Sequence, residues 1–234
     1  MSGLAVAFDE AWTLLTRLDP QLVQIVALSL EVSLTAVAIA TAIGLPLGAL
    51  IAVERFPGRP ALIVLLNALM GLPPVVVGLV VYLLLSRAGP LGSFGILFTP
   101  TAMVIAQTVL IVPIVAALAR QTLEDAWREY EEQLRSLGAA RHKAALTLIW
   151  DTRFSLITIV LAGFGRAAAE VGAVMIVGGN IDGVTRVMTT TIALETSKGD
   201  LPLALGLGIV LIGLIVALNA GASLVKELAV RRYG

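Results

Sequence analysis

The sequence contains no cysteine and a single histidine. Disulfides, thiolate chemistry and cysteine or histidine metal clusters are therefore excluded. Charge is scarce: 14% of residues are Asp, Glu, Lys or Arg, against roughly 25% in a soluble domain. Acids and bases balance to a formal net charge of zero, so no basic field argues for nucleic acid. No Gly-x-x-x-x-Gly-Lys-Ser/Thr run occurs; ATP is not bound here through a P-loop, and ATP-driven work needs an ATPase on another chain. A nucleophile–base set is missing as well, which argues against a membrane-bound enzyme. The first base is Arg17, preceded by Asp9 and Glu10, so residues 1–20 lack the basic start of a secretory signal. Leu4, Phe8, Trp12 and Leu15 recur at helical steps, and an interfacial helix is expected there.

What the chain has in abundance is apolar surface. Of its 234 residues 58% are hydrophobic, and mean hydropathy is +0.97. The expected fold is an all-α integral membrane protein, a bundle of five spans at residues 32–53, 61–85, 100–119, 154–177 and 203–225. The first helix has room to start earlier, near Leu22. Asp19-Pro20 marks a helix boundary, and Pro46 predicts a kink in the first span. Gly71-Leu-Pro-Pro74 interrupts the second. It reads either as a kinked packing helix or as a broken helix lining a solute path, because freed backbone groups in hydrocarbon need a partner or water. Residues 184–200 are threonine-rich and suit a short interfacial helix. Residues 1–20 form the N-terminal segment, 21–226 the membrane domain and 227–234 a C-terminal tail.

Lysine and arginine orient the bundle. Eleven lie on one side, in the loops carrying Arg55 and Arg59, Arg120 to Arg153, and the C-terminal end; four (Arg17, Arg87, Arg186 and Lys198) lie on the other. The first side is expected to be cytoplasmic, with the N-terminus outside and the C-terminus inside. Arg166 falls within the fourth span, four residues before Glu170. An ionisable residue there costs ~2.5–3.5 kcal/mol on insertion scales. The two read as a structural ion pair, a direct anion contact by Arg166, or a gate that pairs and unpairs. Gly165, Ala169 and Ala173 form a small-residue ridge of the kind that seams helices together.

The polar stretch 129–149 joins the third and fourth spans, within a loop of residues 120–153. It is a good helix former interrupted by Gly138, so a helix–glycine–helix turn is expected. Glu132-Gln133-Leu134-x-x-x-Gly138 resembles the Glu-Ala-Ala-x-x-x-Gly loop of ABC importer permeases. Gln133 and Leu134 replace the two alanines, and Trp150-Asp151 stands where that family usually has Leu-Pro. Downstream, Gly165-Arg166-Ala-Ala-Ala-Glu170-Val-Gly172-Ala173 and Gly179-Asn180-Ile181 are similar to the branch that takes up molybdate, sulfate and tungstate. The run Thr185 to Asp200 looks closest to tungstate permeases. The resemblance extends from about residue 30 to residue 226.

The resemblance implies a type I ABC importer permease in a prokaryotic cytoplasmic membrane, with no cofactor in this chain. It implies as partners a second copy, a cytoplasmic ATPase dimer that binds ATP and Mg, and an oxyanion-binding protein outside. Glu131, Glu132, Leu134, Leu137, Gly138, Ala139, Ala140 and Arg141 would form the coupling element that rests in the ATPase. Arg166, Glu170, Gly71, Pro73 and Pro74 are the candidates for the translocation path or gate. Asn180, Arg186, Thr189, Thr190, Thr191 and Lys198 are candidates for an outer mouth; the same residues suit a small anion, a delivering protein or an ordinary solvated loop. Other readings are a stand-alone anion channel or secondary transporter, or an ABC permease for molybdate or sulfate. A self-sufficient carrier has no need of a docking helix.

Overall fold

The structure is a computed structural model that describes residues 19–138 and 140–233, with residues 9, 12, 13, 16 and 17. The helix expected over residues 1–20 lies mostly outside these. Among the described residues the fold is helical throughout. The first helix, α1 (Pro20–Val53), starts where the Asp-Pro pair puts it. Asp19 Oδ1 accepts from the backbone N–H groups of Gln21 at 2.9 Å and Leu22 at 3.2 Å, satisfying donors that a helix start leaves free. Pro46 does not interrupt it. At ~1.5 Å per residue its 34 residues extend about 51 Å, well beyond a ~30 Å hydrocarbon core.

The second expected span is broken rather than kinked. Helix α2 (Arg59–Leu69) and helix α3 (Pro74–Leu85) meet at 100°. The cause is local: residues preceding proline are driven out of the α region, so Leu72 and Pro73 cannot continue a helix into Pro74. Pro73 is accordingly extended, with φ −65° and ψ 122°.

After a single 3-10 turn (Gly92–Phe94), α4 runs from Pro100 to Ser136. The sequence places a boundary near residue 119, where the apolar run ends. The helix continues for four more turns because nothing between Arg120 and Ser136 stops it. The fourth expected span is not one helix. Helix α5 (Arg141–Asp151) turns by 76° into α6 (Arg153–Ala168), and α6 ends before a short α7 (Gly172–Gly178). The threonine-rich run forms α8 (Met188–Lys198), and α9 (Leu201–Tyr233) runs on through the residues set apart as a tail. Three described helices are long and apolar enough to cross a membrane; the bent pairs α2–α3 and α5–α6 raise this to five if each is one span.

The bundle is built on the α1–α4 seam. Val32, Ala36, Ala40, Gly44, Gly48 and Ala52 of α1 recur every fourth residue and are all buried. A Cβ on Gly48 would lie 2.6 Å from the carbonyl oxygen of Ala116, and one on Gly44 would lie 2.9 Å from Cβ of Val115. Small residues are what let the two backbones approach. The other helices divide along α4. Helices α3 and α7 pack on its first half, through Val77, Val81, Val174 and Val177 against Ala102, Met103 and Ala106. Helices α2 and α6 pack farther along, with Leu66 against Ala116 and Ala117, and Leu156 and Ile159 against Ile111 and Val115. The two breaks, at residues 70–73 and 169–171, thus fall at the boundary between these halves.

Candidate functional site

Two groups of candidate residues come together, at opposite ends of a chain of packed helices. The first is the expected coupling element. Gly138 has φ +68° and follows the last turn of α4, with its N–H donating to Arg135 O at 2.9 Å. A left-handed glycine just past a helix end is what lets the chain reverse there. Helix α5 then folds back, burying Ala144, Ala145 and Leu148 against Ala49, Ala52 and Val53 of α1 and Leu123 and Trp127 of α4. Arg141 pairs with Glu54 at 3.5 Å, and Glu131 with Arg135 at 2.7 Å and Arg55 at 3.8 Å. Glu132 and Ala140 are exposed, Leu134 is half-buried against the same core, and Ala139 lies outside the described residues. A groove of about 210 Å³ opens between α4 and α5, lined by Tyr130, Gln133, Leu134, Leu137 and Thr147.

The outward side of this element is apolar. Leu137 is 80% exposed, and Leu146 and Trp150, one turn apart on α5, are 67% and 71% exposed. The Arg153 guanidinium lies 4.8 Å from the Trp150 ring centre and 4.4 Å from that of Phe154, which steadies the indole. Chemically this is a knob packed from behind that leaves aliphatic and aromatic surface uncovered. In the sequence Trp150 stands only as a departure from the family's pattern, and nothing there signals that Leu146 is exposed; periodicity alone does not separate a buried stripe from an uncovered one.

Behind the knob lies a charge cluster that sequence reasoning missed. Glu124 sits on the polar stretch of α4 past the apolar run and is largely buried. It receives Arg120 at 2.6 Å, Arg128 at 3.0 Å and Arg59 at 3.2 Å. Burial of the carboxyl pushes its pKa up, but the Arg120 hydrogen bond and the Arg59 charge outweigh that and hold it below the usual carboxylate value. Arg55, Arg59, Arg120, Arg128, Arg135 and Arg141 are thereby gathered at one end of the bundle.

The second group surrounds the α6–α7 break. Arg166 and Glu170 pair at 2.5 Å, but not on one continuous helix as their spacing suggested. Glu170 stands in the break. One carboxylate oxygen takes Arg166 of α6, and the other accepts the N–H of Ala173 at 3.0 Å, at the start of α7. The backbone oxygen of Glu170 accepts the Thr189 hydroxyl at 2.7 Å. Gln107 of α4 donates to the Ala167 carbonyl at 3.2 Å. Glu170 is 3% exposed, whereas the Arg166 side chain is 33% exposed. The α2–α3 break is adjacent: a Cβ on Gly172 would lie 2.9 Å from a methyl of Val75. Gly71, Pro73 and Pro74 on one side and Glu170 on the other thus form neighbouring breaks in two membrane-embedded segments. Gly165, Ala169 and Ala173 do not form one ridge, because the helix ends between them; among the described residues a Cβ on Gly165 would meet nothing within 4 Å, while Ala173 packs on Gly78 of α3.

The expected outer-mouth residues are divided. Thr190 and Thr191 are buried, at 0% and 1% exposure, with both hydroxyls bonded to Val187 O and Thr190 also to Asn180. Thr189 is turned to Glu170. Arg186 is paired with Asp182 and Lys198 with Glu195, each at 2.9 Å. In this conformation the two bases and the three hydroxyls are engaged within the chain, and they do not converge on a common point.

With this geometry in view, the comparisons are specific. The family model described as "Binding-protein-dependent transport system inner membrane component" matches residues 44–234. The "Tungstate uptake system permease protein TupB" of Peptoclostridium acidaminophilum is 44% identical over 220 residues, covering 94% of this chain and 96% of that protein. The "Probable anion ABC transporter permease protein" of Haloferax volcanii is 39% identical over 204 residues, covering 85% and 88%. The "Sulfate transport system permease protein CysW" of a Synechocystis species is 32% identical over 219 residues, covering 88% and 76%.

Proposed function

The chain belongs to the family of inner-membrane components of binding-protein-dependent transport systems, and from that premise we propose that it carries tungstate inward as a homodimeric permease. It is a transport subunit of an ABC importer for oxyanions and not an enzyme. The ATPase is a separate subunit, whose dimer binds ATP and Mg. An oxyanion-binding protein outside the membrane delivers the anion. The chain sits in a prokaryotic cytoplasmic membrane with its N-terminus outside and its C-terminus inside. Helix α5 and the Gly138 turn form the coupling element.

The observation that carries this reading is the knob of Leu137, Leu146 and Trp150, anchored by Ala144, Ala145 and Leu148 and by the Arg141–Glu54 pair. A force applied to it has a stiff route into α1 and α4. The gathering of basic residues at that end supports a cytoplasmic position. The α6–α7 break supports a gate: Glu170 joins three segments, and its pairing with Arg166 is an interaction that two states can hold and release. A part-exposed Arg166 at membrane depth needs water or protein beside it, which supports a path shared with a second copy. Asn180, Arg186 and Lys198 remain on the outer side, where the binding protein would dock.

Tungstate is favoured by the 44% identity to a tungstate permease along nearly the whole chain. Sulfate is the second reading, favoured by the match to a sulfate permease; molybdate belongs to the same group of tetrahedral dianions. Selection among them falls to the binding protein. The test of the partnership is affinity capture of the tagged chain from detergent extract. Co-purification of a P-loop ATPase, lost when Trp150 and Leu146 are both replaced by Glu, is the expected outcome. Transport by the chain without any ATPase would replace this reading with a self-sufficient carrier.

A further inference from the structure

Helix α2 is held through one short apolar face. It has eleven residues, and Leu66 is its one buried residue, packed on Ile51, Ala116 and Ala117. Val64 and Leu65 are 67% and 52% exposed. Leu62 and Ile63 pack beside Leu66, part-buried, so the apolar attachment is one short face, and a helix held on one face still needs a second contact to set its direction. The second attachment is Arg59, the first residue of α2. Its Nε donates to the carbonyl oxygen of Ile51 at 2.8 Å, one of the free acceptors at the end of α1. Its Nη2 meets the Glu124 carboxylate at 3.2 Å. The planar guanidinium makes both contacts at once, joining the end of α1, the start of α2 and the polar stretch of α4. Its side chain is 22% exposed and that of Glu124 13%, so solvent screens the pair less than a surface ion pair.

The three elements have distinct stations. The polar stretch of α4 leads directly into the coupling turn. Helix α2 leads into the Gly71–Pro73 break and thence into α3, which packs on α7 beyond Glu170. We infer that Arg59, with Glu124 as its seat, is the positioning residue that passes a displacement of the coupling element to the broken span, and so sets the α2–α3 angle during the transport cycle. Arg120 and Arg128 fix the carboxylate, at 2.6 and 3.0 Å from opposite oxygens, so that it holds Arg59 at a set position on α4. The role is one of transmission: Arg59 lies at the end of the bundle remote from the Arg166–Glu170 break. A lysine could supply the charge, but not both contacts from one rigid plane.

This inference rests on the importer reading above, and its test keeps the two apart. The complete complex is reconstituted with its ATPase and binding protein, and ATP hydrolysis is measured with and without tungstate-loaded binding protein. If the wild-type complex shows no stimulation, the importer reading fails. Given stimulation in the wild type, R59K and E124Q complexes are expected to assemble and to hydrolyse ATP at the unstimulated wild-type rate. Their stimulation should fall by about fivefold or more. The R59K/E124Q double variant should do no worse than the poorer single one, because the two residues act as one joint. Stimulation within about twofold of wild type in both single variants would overturn the inference, as would losses that multiply in the double variant. Failure of both variants to assemble with the ATPase would overturn it too, since Arg59 would then only hold the fold together.

Discussion

Glu170→Ala tests the break between α6 and α7 most sharply. Two interactions are removed together. The first is the carboxylate's acceptance of the Ala173 N–H at 3.0 Å; a hydrogen bond to a charged group contributes about 1.5–3 kcal/mol. The second is the pair with Arg166. At an effective dielectric constant near 20 the gross attraction between unit charges about 4 Å apart is about 4 kcal/mol. The Arg166 side chain is a third exposed, so desolvation and screening reduce the net share to about 1 kcal/mol. Glu170→Ala should therefore cost about 2.5–4 kcal/mol in all. Glu170→Gln keeps an acceptor for Ala173 and loses mainly the pairing, for about 1–2 kcal/mol. Arg166→Ala combined with Glu170→Ala should recover about 1 kcal/mol relative to the sum of the single changes. The assay is unfolding by titration of SDS into mild-detergent micelles, followed by the fluorescence of the three tryptophans, with uptake measured on the same variants. Effects that add to within about 0.5 kcal/mol would refute the pairing, and Glu170→Ala as mild as Glu170→Gln would refute the cap on α7.

The other predictions address the coupling turn, the topology and the central seam. Gly138→Val meets no atom but forces a β-branched residue to φ +68°, at a cost of about 1–2 kcal/mol; membrane insertion should stay normal while uptake falls, and unchanged uptake with normal stimulated ATP hydrolysis would dismiss a coupling role. Cysteines at Gly58 and Ser136 should be labelled by an impermeant maleimide only from the cytoplasmic side, and those at Ser93 and Gly183 only from outside; outside labelling at Ser136 would reverse the orientation. Gly48→Ala places a Cβ 2.6 Å from the Ala116 carbonyl oxygen, where backbone cannot yield cheaply. It should destabilise the bundle by about 1–3 kcal/mol in the same SDS titration, and a neutral result would mean the α1–α4 seam is looser than described.

Much of the architecture was legible because punctuation marks it. Asp19-Pro20 opens α1, Gly71-Leu-Pro-Pro74 breaks the second span, and Gly138 turns the chain between α4 and α5, each through a backbone restriction that acts locally. The helix runs on past residue 119, where the expected span ends, because hydropathy changes there while helix propensity does not. The α6–α7 break had no local signal: Ala167-Ala-Ala-Glu170 is a good helix-forming run, and its interruption depends on Gln107, Thr189 and the approach of Gly172 to Val75, which are contacts distant in sequence. The burial of the threonines is hidden in the sequence for a different reason. A threonine hydroxyl satisfied by its own helix can be buried, so the polarity of Thr190 and Thr191 says little about where solvent is. The Ala36–Ala40–Gly44–Gly48 ridge does carry a sequence signal, small residues at four-residue steps, but the ridge expected from the sequence is Gly165, Ala169 and Ala173 in the fourth span instead.

The central claim is ATP-driven entry of an oxyanion through this chain, and proteoliposomes test it directly. The permease is reconstituted with its ATPase facing outward, so that the lumen corresponds to the outside of the cell and holds the binding protein with labelled tungstate. The account predicts export of tungstate from the lumen that requires ATP, the ATPase and the binding protein together and persists against equimolar sulfate. Tungstate flux through the permease alone, or flux abolished by equimolar sulfate, would contradict it.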